Sequence, residues 1–207
     1  EQTLNAIETV NGGGSNPMRH RIEHNATVRP DMIERYSQVN PVALIFGHFS
    51  ACLWQGDTSQ FKYILGEDYR AWDWPYGSLI EANPDVVFAW HGDVPVFPLG
   101  TIETLWGFAT RQEIGPEGQV CQPQEWALGE TIPVETALKL MTINSAYALF
   151  REDEIGSLEA GKLADMIILS DDPLAVPVND LIGIQVLATM VNGRAEFCAP
   201  EMEALCP

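Results

Sequence analysis

Histidine and carboxylate side chains follow two apolar segments of this chain, and together they could bind a metal ion. His24 ends the segment Arg21-Ile-Glu-His, and Asp93 lies in the segment His91-Gly-Asp-Val-Pro. Neutral imidazole and carboxylate groups are ordinary ligands of first-row metals, and a carboxylate beside a metal-activated water can accept its proton. Catalytic zinc uses about three protein ligands, so these two residues alone leave a purely structural role open.

The sequence predicts different roles for the other three histidines. If residues 19–24 form a strand, the four residues from His20 to His24 span about 13 Å, so the two cannot share one ion and His20 is expected to be structural. His48 follows the next apolar run and could reach the same edge, although packing explains it equally well. His91 lies two residues before Asp93, on the same face if the strand continues. His48 and His91 are therefore candidate substrate-binding residues.

Alternating strand and helix patterns would position these side chains. Val42–Phe46 and Val86–Trp90 are continuous apolar runs, which are typical of strands buried in a parallel sheet. Helices are predicted at 78–83, 101–112 and 134–149. The carboxyl ends of parallel strands meet at one edge, where α/β barrels carry their working residues, so His24 and Asp93 are expected on that edge.

The last third of the chain has a different pattern. Strands are predicted at 164–169 and 185–191, and Asn192-Gly193 predicts a tight hairpin into the next strand. The whole is an α/β pattern followed by a β addition. Three strand–helix units cannot close a barrel, because closure takes about eight strands. The chain would either pair with more protein, which we favour, or form an open sheet.

Four motifs resemble the C-terminal part of the amidohydrolase superfamily, in the branch that contains the N-substituted formamide deformylases. These motifs are Arg21–His24, Gly92–Pro95, Gly156–Leu169 and Met190–Gly193. The resemblance implies that His24 binds metal after the sixth barrel strand, and that Asp93 binds metal and acts as base after the eighth. The family's usual Ser-Asp-x-Pro has Gly92 in place of serine here, so the local geometry is expected to differ.

The resemblance covers roughly residues 1–197 and implies the fold class and the domains. It implies an α/β protein in which residues 1–150 are the last three strand–helix units of a partial (β/α)8 TIM barrel. Residues 151–207 would be part of a small β-sandwich with an acidic tail. The family's first-strand His-x-His, its strand-five histidine and its bridging carboxylate or lysine are missing from this sequence. The chain is therefore expected to be the C-terminal portion of a longer enzyme.

The activity implied by the resemblance is metal-dependent hydrolysis of a C–N bond in a non-peptide amide, a formamide or a cyclic amide. The metal would be divalent, with zinc preferred and one or two ions in the complete enzyme. It would polarise the carbonyl and activate water while Asp93 moves the proton. Because only two of the family's ligands are present, the isolated chain is expected to bind metal weakly or not at all and to be inactive.

Two alternatives stay open from the sequence. The chain could be a non-catalytic binding or scaffold protein, with the aromatic segment 47–76 as its contact surface. It could instead be one subunit of a two-chain enzyme whose N-terminal subunit supplies the missing ligands. In an enzyme, the loops at 47–76 and 113–132 would contact substrate, and their aromatic residues indicate an apolar or ring-bearing substituent.

The amino-acid composition limits the classes of binding partner, and the cysteines bear on the cellular compartment. The 29 acidic and 11 basic residues give a formal net charge of −18, which disfavours nucleic acid and anionic membrane surfaces, since both need clustered lysine and arginine. The sequence contains no run of 18 apolar residues, so it predicts no membrane span. A small-molecule amide is the expected partner, besides the missing N-terminal half. Cys198 and Cys206 could pair or stay free, and a pair would favour a periplasmic or secreted protein.

Overall fold

The central element is a parallel three-stranded sheet with buried strands. The computed structural model describes residues 1–13, 15–47, 51–52, 72, 74–96, 100–123 and 130–206. The strands of the central sheet are β1 (Arg21–Ile22), β2 (Val42–Ile45) and β3 (Phe88–Trp90). They lie in the order β1-β2-β3, and both neighbouring pairs are parallel. The predicted parallel arrangement of the two apolar runs is confirmed, and their carboxyl ends share one edge.

Short helices in the described residues pack around this sheet. They are α1 (Gln2–Asn11), α2 (Arg35–Val39), α3 (Tyr76–Ala82), α4 (Thr101–Thr110), α5 (Val134–Met141) and α6 (Ile143–Ala148), with 3-10 helices at Pro30–Met32, Val178–Gly183 and Pro200–Leu205. The helix predicted over 134–149 is interrupted at Thr142 (φ −121°, ψ −98°). The Thr142 hydroxyl donates to the Leu138 carbonyl at 2.6 Å, a bond that competes with the helical ladder. Among the described residues, no helix has the length and apolarity needed to cross a bilayer.

Strand β2 is covered on both faces. Ala43 and Ile45 pack into the main core with Phe88 and α4 residues, whereas Val42 and Leu44 pack into a smaller cluster on the other face. Side chains along a strand alternate between the two faces of its sheet, so a strand buried throughout needs apolar residues at every position. Residues 42–45 supply this run, and all four are buried.

Arg19, which precedes the edge strand β1, binds residues of helix α6 and of the segment that follows it. Its Nη1 donates to the Tyr147 carbonyl at 2.7 Å and to Glu152 Oε2 at 2.9 Å. Its guanidinium carbon lies 3.7 Å from the centroid of the Tyr147 ring. This anchor fixes the start of β1, and therefore the position of the residues that follow it.

The described residues also form two antiparallel sheets. One is the hairpin β4 (Glu113–Ile114) and β5 (Val120–Cys121), and the other holds β6 (Met166–Leu169), β7 (Val186–Val191) and β8 (Arg194–Cys198). Asn192 (φ 52°) and Gly193 (φ 75°) form the predicted tight turn between β7 and β8, because both central residues of such a turn need positive φ. Leu181 and Ile184 belong to the main core, so the C-terminal segment packs directly against the central sheet unit.

Both cysteine pairs are disulfide-bonded. The pair Cys198–Cys206, open in the sequence, joins β8 to the last 3-10 helix with a Cα–Cα distance of 6.3 Å. The pair Cys52–Cys121, which sequence reasoning missed, ties the residues after β2 to hairpin β4–β5, with 5.1 Å between the Cα atoms. The Cys52 amide donates to the Glu113 carboxylate at 2.6 Å, and burial raises the pKa of that carboxyl.

Candidate metal centre

Three metal-ligating side chains meet at the carboxyl edge of the parallel sheet. His24 follows β1 by two residues, His91 follows β3 directly, and Asp93 lies two residues after His91. The ligand atoms of these three residues all lie within 4.8 Å of one another. The structure therefore brings together both residues that the motifs singled out as metal ligands, and adds His91 to them.

Left-handed turns direct the first and last of these residues inward. Strand β2 lies between β1 and β3, so the two strand ends are about 10 Å apart. The predicted strand 19–24 is wrong in its length, because β1 ends at Ile22 and His24 has φ 68°. Asp93 also has positive φ, at 47°. These turns take the chain out of each strand and over the end of β2.

Asn25 holds the turn after β1 through a buried hydrogen-bond network. Its φ of 50° is one that asparagine tolerates better than most residues. Its Nδ2 donates to the carbonyls of Ile22 and Leu44, both at 2.8 Å, and its Oδ1 accepts from the Tyr36 hydroxyl at 2.6 Å. Burial raises the pKa of Tyr36 to about 12, so this hydroxyl stays a donor. Sequence reasoning missed Asn25, although an asparagine directly after a strand is a turn signal.

Replacing Asn25 by alanine is expected to lower the free energy of unfolding by about 3 kcal/mol, because two carbonyls and a buried hydroxyl lose their partners. The Tyr36→Phe variant, which removes only the hydroxyl, is expected to lose about 1 kcal/mol. Urea unfolding followed by circular dichroism measures both values. Equal stability of N25A and the wild type would show that the network does not hold this turn.

Aromatic rings line the inner side of the cluster. The Phe46 ring contacts both imidazoles from one side, with its centroid 5.4 Å from that of His24 and 5.4 Å from that of His91. Trp74 packs on Phe46 at 4.6 Å, and the Tyr76 hydroxyl donates to the backbone carbonyl of His24 at 2.9 Å. Tyr76 belongs to the aromatic segment 47–76 that the sequence singled out, whereas no sequence signal pointed to Phe46 as a site residue, because its contacts are with distant parts of the chain.

The His91 ring lies beside that of His24, with 4.8 Å between their centroids. Its backbone amide donates to the Ile45 carbonyl at 3.0 Å, which continues the parallel ladder. Its Nε2 is buried and has no hydrogen-bond acceptor or donor among the described residues. Burial, and next the positive charge that His24 can carry, lower the pKa of His91. Both effects favour the neutral ring, the form that binds metal.

These residues fit a divalent metal. Two nitrogen or oxygen ligands of one tetrahedral zinc ion lie about 3.4 Å apart, since each is about 2.0–2.2 Å from the metal. The observed donor separations, within 4.8 Å, are larger by at most about 1.4 Å, a difference that side-chain rotations can close. Two imidazoles and one carboxylate match the donor set of many catalytic zinc sites, which add water as the fourth ligand.

The other candidate residues lie elsewhere. His20 is not part of the cluster of described ligands, and its Nε2 is buried without a hydrogen-bond partner among the described residues. Its structural role stays a prediction. His48 lies outside the described residues, as does most of the aromatic segment 47–76. The substrate contacts predicted for them stay predictions.

Comparisons with known proteins show what this chain is similar to. A profile of the amidohydrolase family matches residues 1–195. The N-substituted formamide deformylase of Arthrobacter pascens is 28% identical over 145 residues, which are 70% of this chain and 23% of that protein. The putative amidohydrolase YtcJ of Bacillus subtilis is 28% identical over 205 residues, which are 95% of this chain and 35% of that protein.

A solved structure has the same fold over most of the chain. It is that of an uncharacterized metal-dependent hydrolase from Pyrococcus horikoshii, with a TM-score of 0.65 and 26% identity. The match covers 85% of this chain and 32% of the other. This chain therefore spans between about a quarter and a third of the length of the proteins it matches.

Proposed function

Because the chain belongs to the amidohydrolase family, we propose that it is the C-terminal part of a metal-dependent hydrolase that cleaves C–N bonds in small amides. The observation that carries the proposal is the convergence of His24, His91 and Asp93 on one edge of the parallel sheet. Working residues of α/β barrels lie at this edge. The substrate class is a non-peptide amide, a formamide or a cyclic amide, supported by the similarity to a formamide deformylase.

The proposed architecture is that of an incomplete barrel with a partial β-sandwich. Strands β1–β3 and their helices, in residues 1–150, would be the last three units of a (β/α)8 barrel, and residues 151–207 would hold the sandwich strands. Ile167 and Phe197 support the second part. Both are aligned with Thr189 across the sheet β6-β7-β8, and they are 48% and 50% exposed. An apolar sheet face of this kind is normally covered by a second layer.

The complete enzyme would form when the missing N-terminal part of the barrel is supplied, either in the same polypeptide or by a partner chain. The coverage of the relatives, 23% and 35% of their lengths, supports this. The resemblance assigns further metal ligands to that missing part. We use the term complete enzyme below for this assembly.

The chemistry assigned to this chain is ligation and proton transfer. A divalent metal, with zinc favoured by the two-imidazole and one-carboxylate donor set, would polarise the substrate carbonyl and make water more acidic. His24 would hold the metal by its imidazole. Asp93 would accept the proton of the attacking water and deliver it to the leaving nitrogen, so that one carboxylate serves as base and then as acid. Phe46 and Trp74 would form an apolar wall that limits water.

Removal of metal tests this function. Dialysis of the complete enzyme against a chelator is expected to lower its hydrolysis of an N-substituted formamide at least about 1000-fold, because the metal contributes several kcal/mol to the transition state. Addition of one or two equivalents of zinc is expected to restore formate release, measured by a coupled assay. Full activity in a preparation shown to be metal-free by elemental analysis would contradict the proposal.

The two disulfides support an oxidising compartment. Disulfides persist in the periplasm and outside the cell and are rare in the reducing cytosol, and both cysteine pairs of this chain are joined. We therefore propose a periplasmic or secreted location for the protein.

A further inference from the structure

Helix α6 packs on the opposite face of the central sheet from α1 to α5, whose side chains belong to the main core. On this other face, here called the inner face, α6 packs against a smaller cluster through Tyr147 and Ala148. The sheet residues of this cluster are Val42, Leu44 and Ala89. A (β/α)8 barrel places its helices in an outer ring and fills its interior with strand side chains. The inner face would therefore point into the proposed barrel, where a helix has no place.

Helix α6 also caps the outer edge of β3, with which no described strand pairs. The Asn144 side-chain amide donates to the Phe88 carbonyl at 2.8 Å, and the Ser145 hydroxyl accepts from the Trp90 amide at 3.2 Å. Strand β2 bonds to the residues on either side of this pair, so Phe88 and Trp90 carry the groups that a strand on the outer side would bond. Two side chains of α6 take the place of such a strand.

The other end of α6 reaches the start of β1. The carbonyl of Tyr147 accepts from the Arg19 guanidinium at 2.7 Å, and that of Ala148 lies 3.4 Å from the Arg21 guanidinium, as its acceptor. A helix of six residues is about 9 Å long, which matches the separation of about 10 Å between β1 and β3. Helix α6 therefore crosses the inner face from one outer strand of the sheet to the other.

We infer that α6 is an internal plug on the surface onto which the missing barrel strands dock, and that formation of the complete enzyme displaces it. The inference rests on the proposed function, which supplies the occupant. The matched relatives are about three to four times longer than the part that this chain covers, enough for the other strands of a barrel. A strand beside β3 would replace the bonds of Asn144 and Ser145 with backbone hydrogen bonds, and its side chains would replace Tyr147 and Ala148 on the inner face.

The backbone at both ends of α6 allows it to move as a unit. Thr142 interrupts the helical path between α5 and α6, with φ −121° and ψ −98°. Phe150, two residues after the end of α6, has φ 60° and is 60% exposed. Hinges are a few residues at the ends of elements that absorb large changes of φ and ψ. These two positions would act as the hinges, and the plug would separate from β3 without unfolding the main core.

Hydrogen–deuterium exchange of the Trp90 amide tests the inference, with mass spectrometry on the 207-residue chain and on the complete enzyme. Ser145→Ala removes the acceptor of this amide. In the isolated chain S145A is expected to speed exchange about 5–10-fold, the factor that corresponds to one neutral hydrogen bond. In the complete enzyme it is expected to have no effect, because a strand supplies the acceptor. Thr142→Ala is the matched control, since its hydroxyl bonds to Leu138 within α5, and it is expected to change neither value.

A measurement on the wild type keeps the test independent of the folding of the variants. In the isolated chain the Trp90 amide is protected by one side-chain bond, whereas in the complete enzyme β3 would be paired on both edges. We expect the amide to exchange at least about 100-fold more slowly in the complete enzyme, since a strand inside a sheet exchanges only through larger openings. Equal exchange rates in the two forms would overturn the inference.

The outcomes separate this inference from the proposed function. If S145A speeds exchange equally in the isolated chain and in the complete enzyme, α6 stays on β3 and no strand replaces it, so the inference is overturned. If S145A has no effect in the isolated chain, α6 does not cap β3 and the inference is likewise overturned. In both cases the function is still decided by metal removal from the complete enzyme. An effect confined to the isolated chain establishes that the complete enzyme has displaced the plug.

Discussion

Replacing Asp93 by asparagine is expected to lower kcat of the complete enzyme by about 10²–10⁴-fold, the usual contribution of a positioned acid–base group. Asparagine keeps the size of the side chain and one oxygen that can face the metal, but it cannot accept a proton from water. It also tolerates the left-handed backbone at this position, where φ is 47°. The fold should therefore be unchanged. Steady-state hydrolysis of an N-substituted formamide, with metal content measured on the same samples, checks the prediction.

Asp85→Asn is the control for this substitution. Asp85 is exposed and precedes β3, so it lies at the opposite end of that strand from the cluster, and its replacement changes the net charge by the same amount. The D85N enzyme is expected to have the kcat of the wild type. If D93N keeps full activity with a normal metal content, Asp93 is not the base, and another group must move the proton.

The elements that position the site could be predicted from sequence because they depend on local pattern. A strand buried on both faces needs an unbroken apolar run, and Val42–Ile45 has one. Parallel strands joined by helices put their carboxyl ends on one edge, which is why His24 and Asp93 could be expected to meet. The turn at Asn192-Gly193 could also be predicted from the sequence, since this dipeptide favours positive φ at both positions.

The remaining features depend on contacts between distant parts of the chain. The backbone turn at His24 is set by Asn25, which bonds to a carbonyl of β2 and to a tyrosine of α2. The direction of the His91 side chain depends on the backbone conformation after β3. Strand alternation alone predicted only that His91 is a candidate substrate-binding residue. The pair Cys52–Cys121 joins residues 69 positions apart, and no spacing rule identifies such a pair. Hairpin β4–β5 escaped prediction because each of its strands has only two residues.

The second large effect is expected from removal of the His24 imidazole. His24 has φ 68°, which glycine adopts without strain, so His24→Gly deletes the ligand and leaves the turn intact, whereas alanine would strain it by about 1–2 kcal/mol. We expect H24G to bind metal more than about 100-fold more weakly and to lose hydrolysis of the formamide substrate in the complete enzyme by about 1000-fold.

Chemical rescue distinguishes a lost ligand from a damaged fold. Because His24 is exposed, free imidazole can enter the space that H24G leaves and bind the metal there. Addition of imidazole with zinc is therefore expected to restore a measurable part of the activity of H24G, with saturation, and to leave the wild type and H20A unchanged. Activity of H24G equal to that of the wild type without imidazole would contradict metal ligation by His24. H24G could instead stay inactive when imidazole and zinc are added, although its unfolding curve matches that of the wild type. That result would show that His24 has a role other than metal ligation.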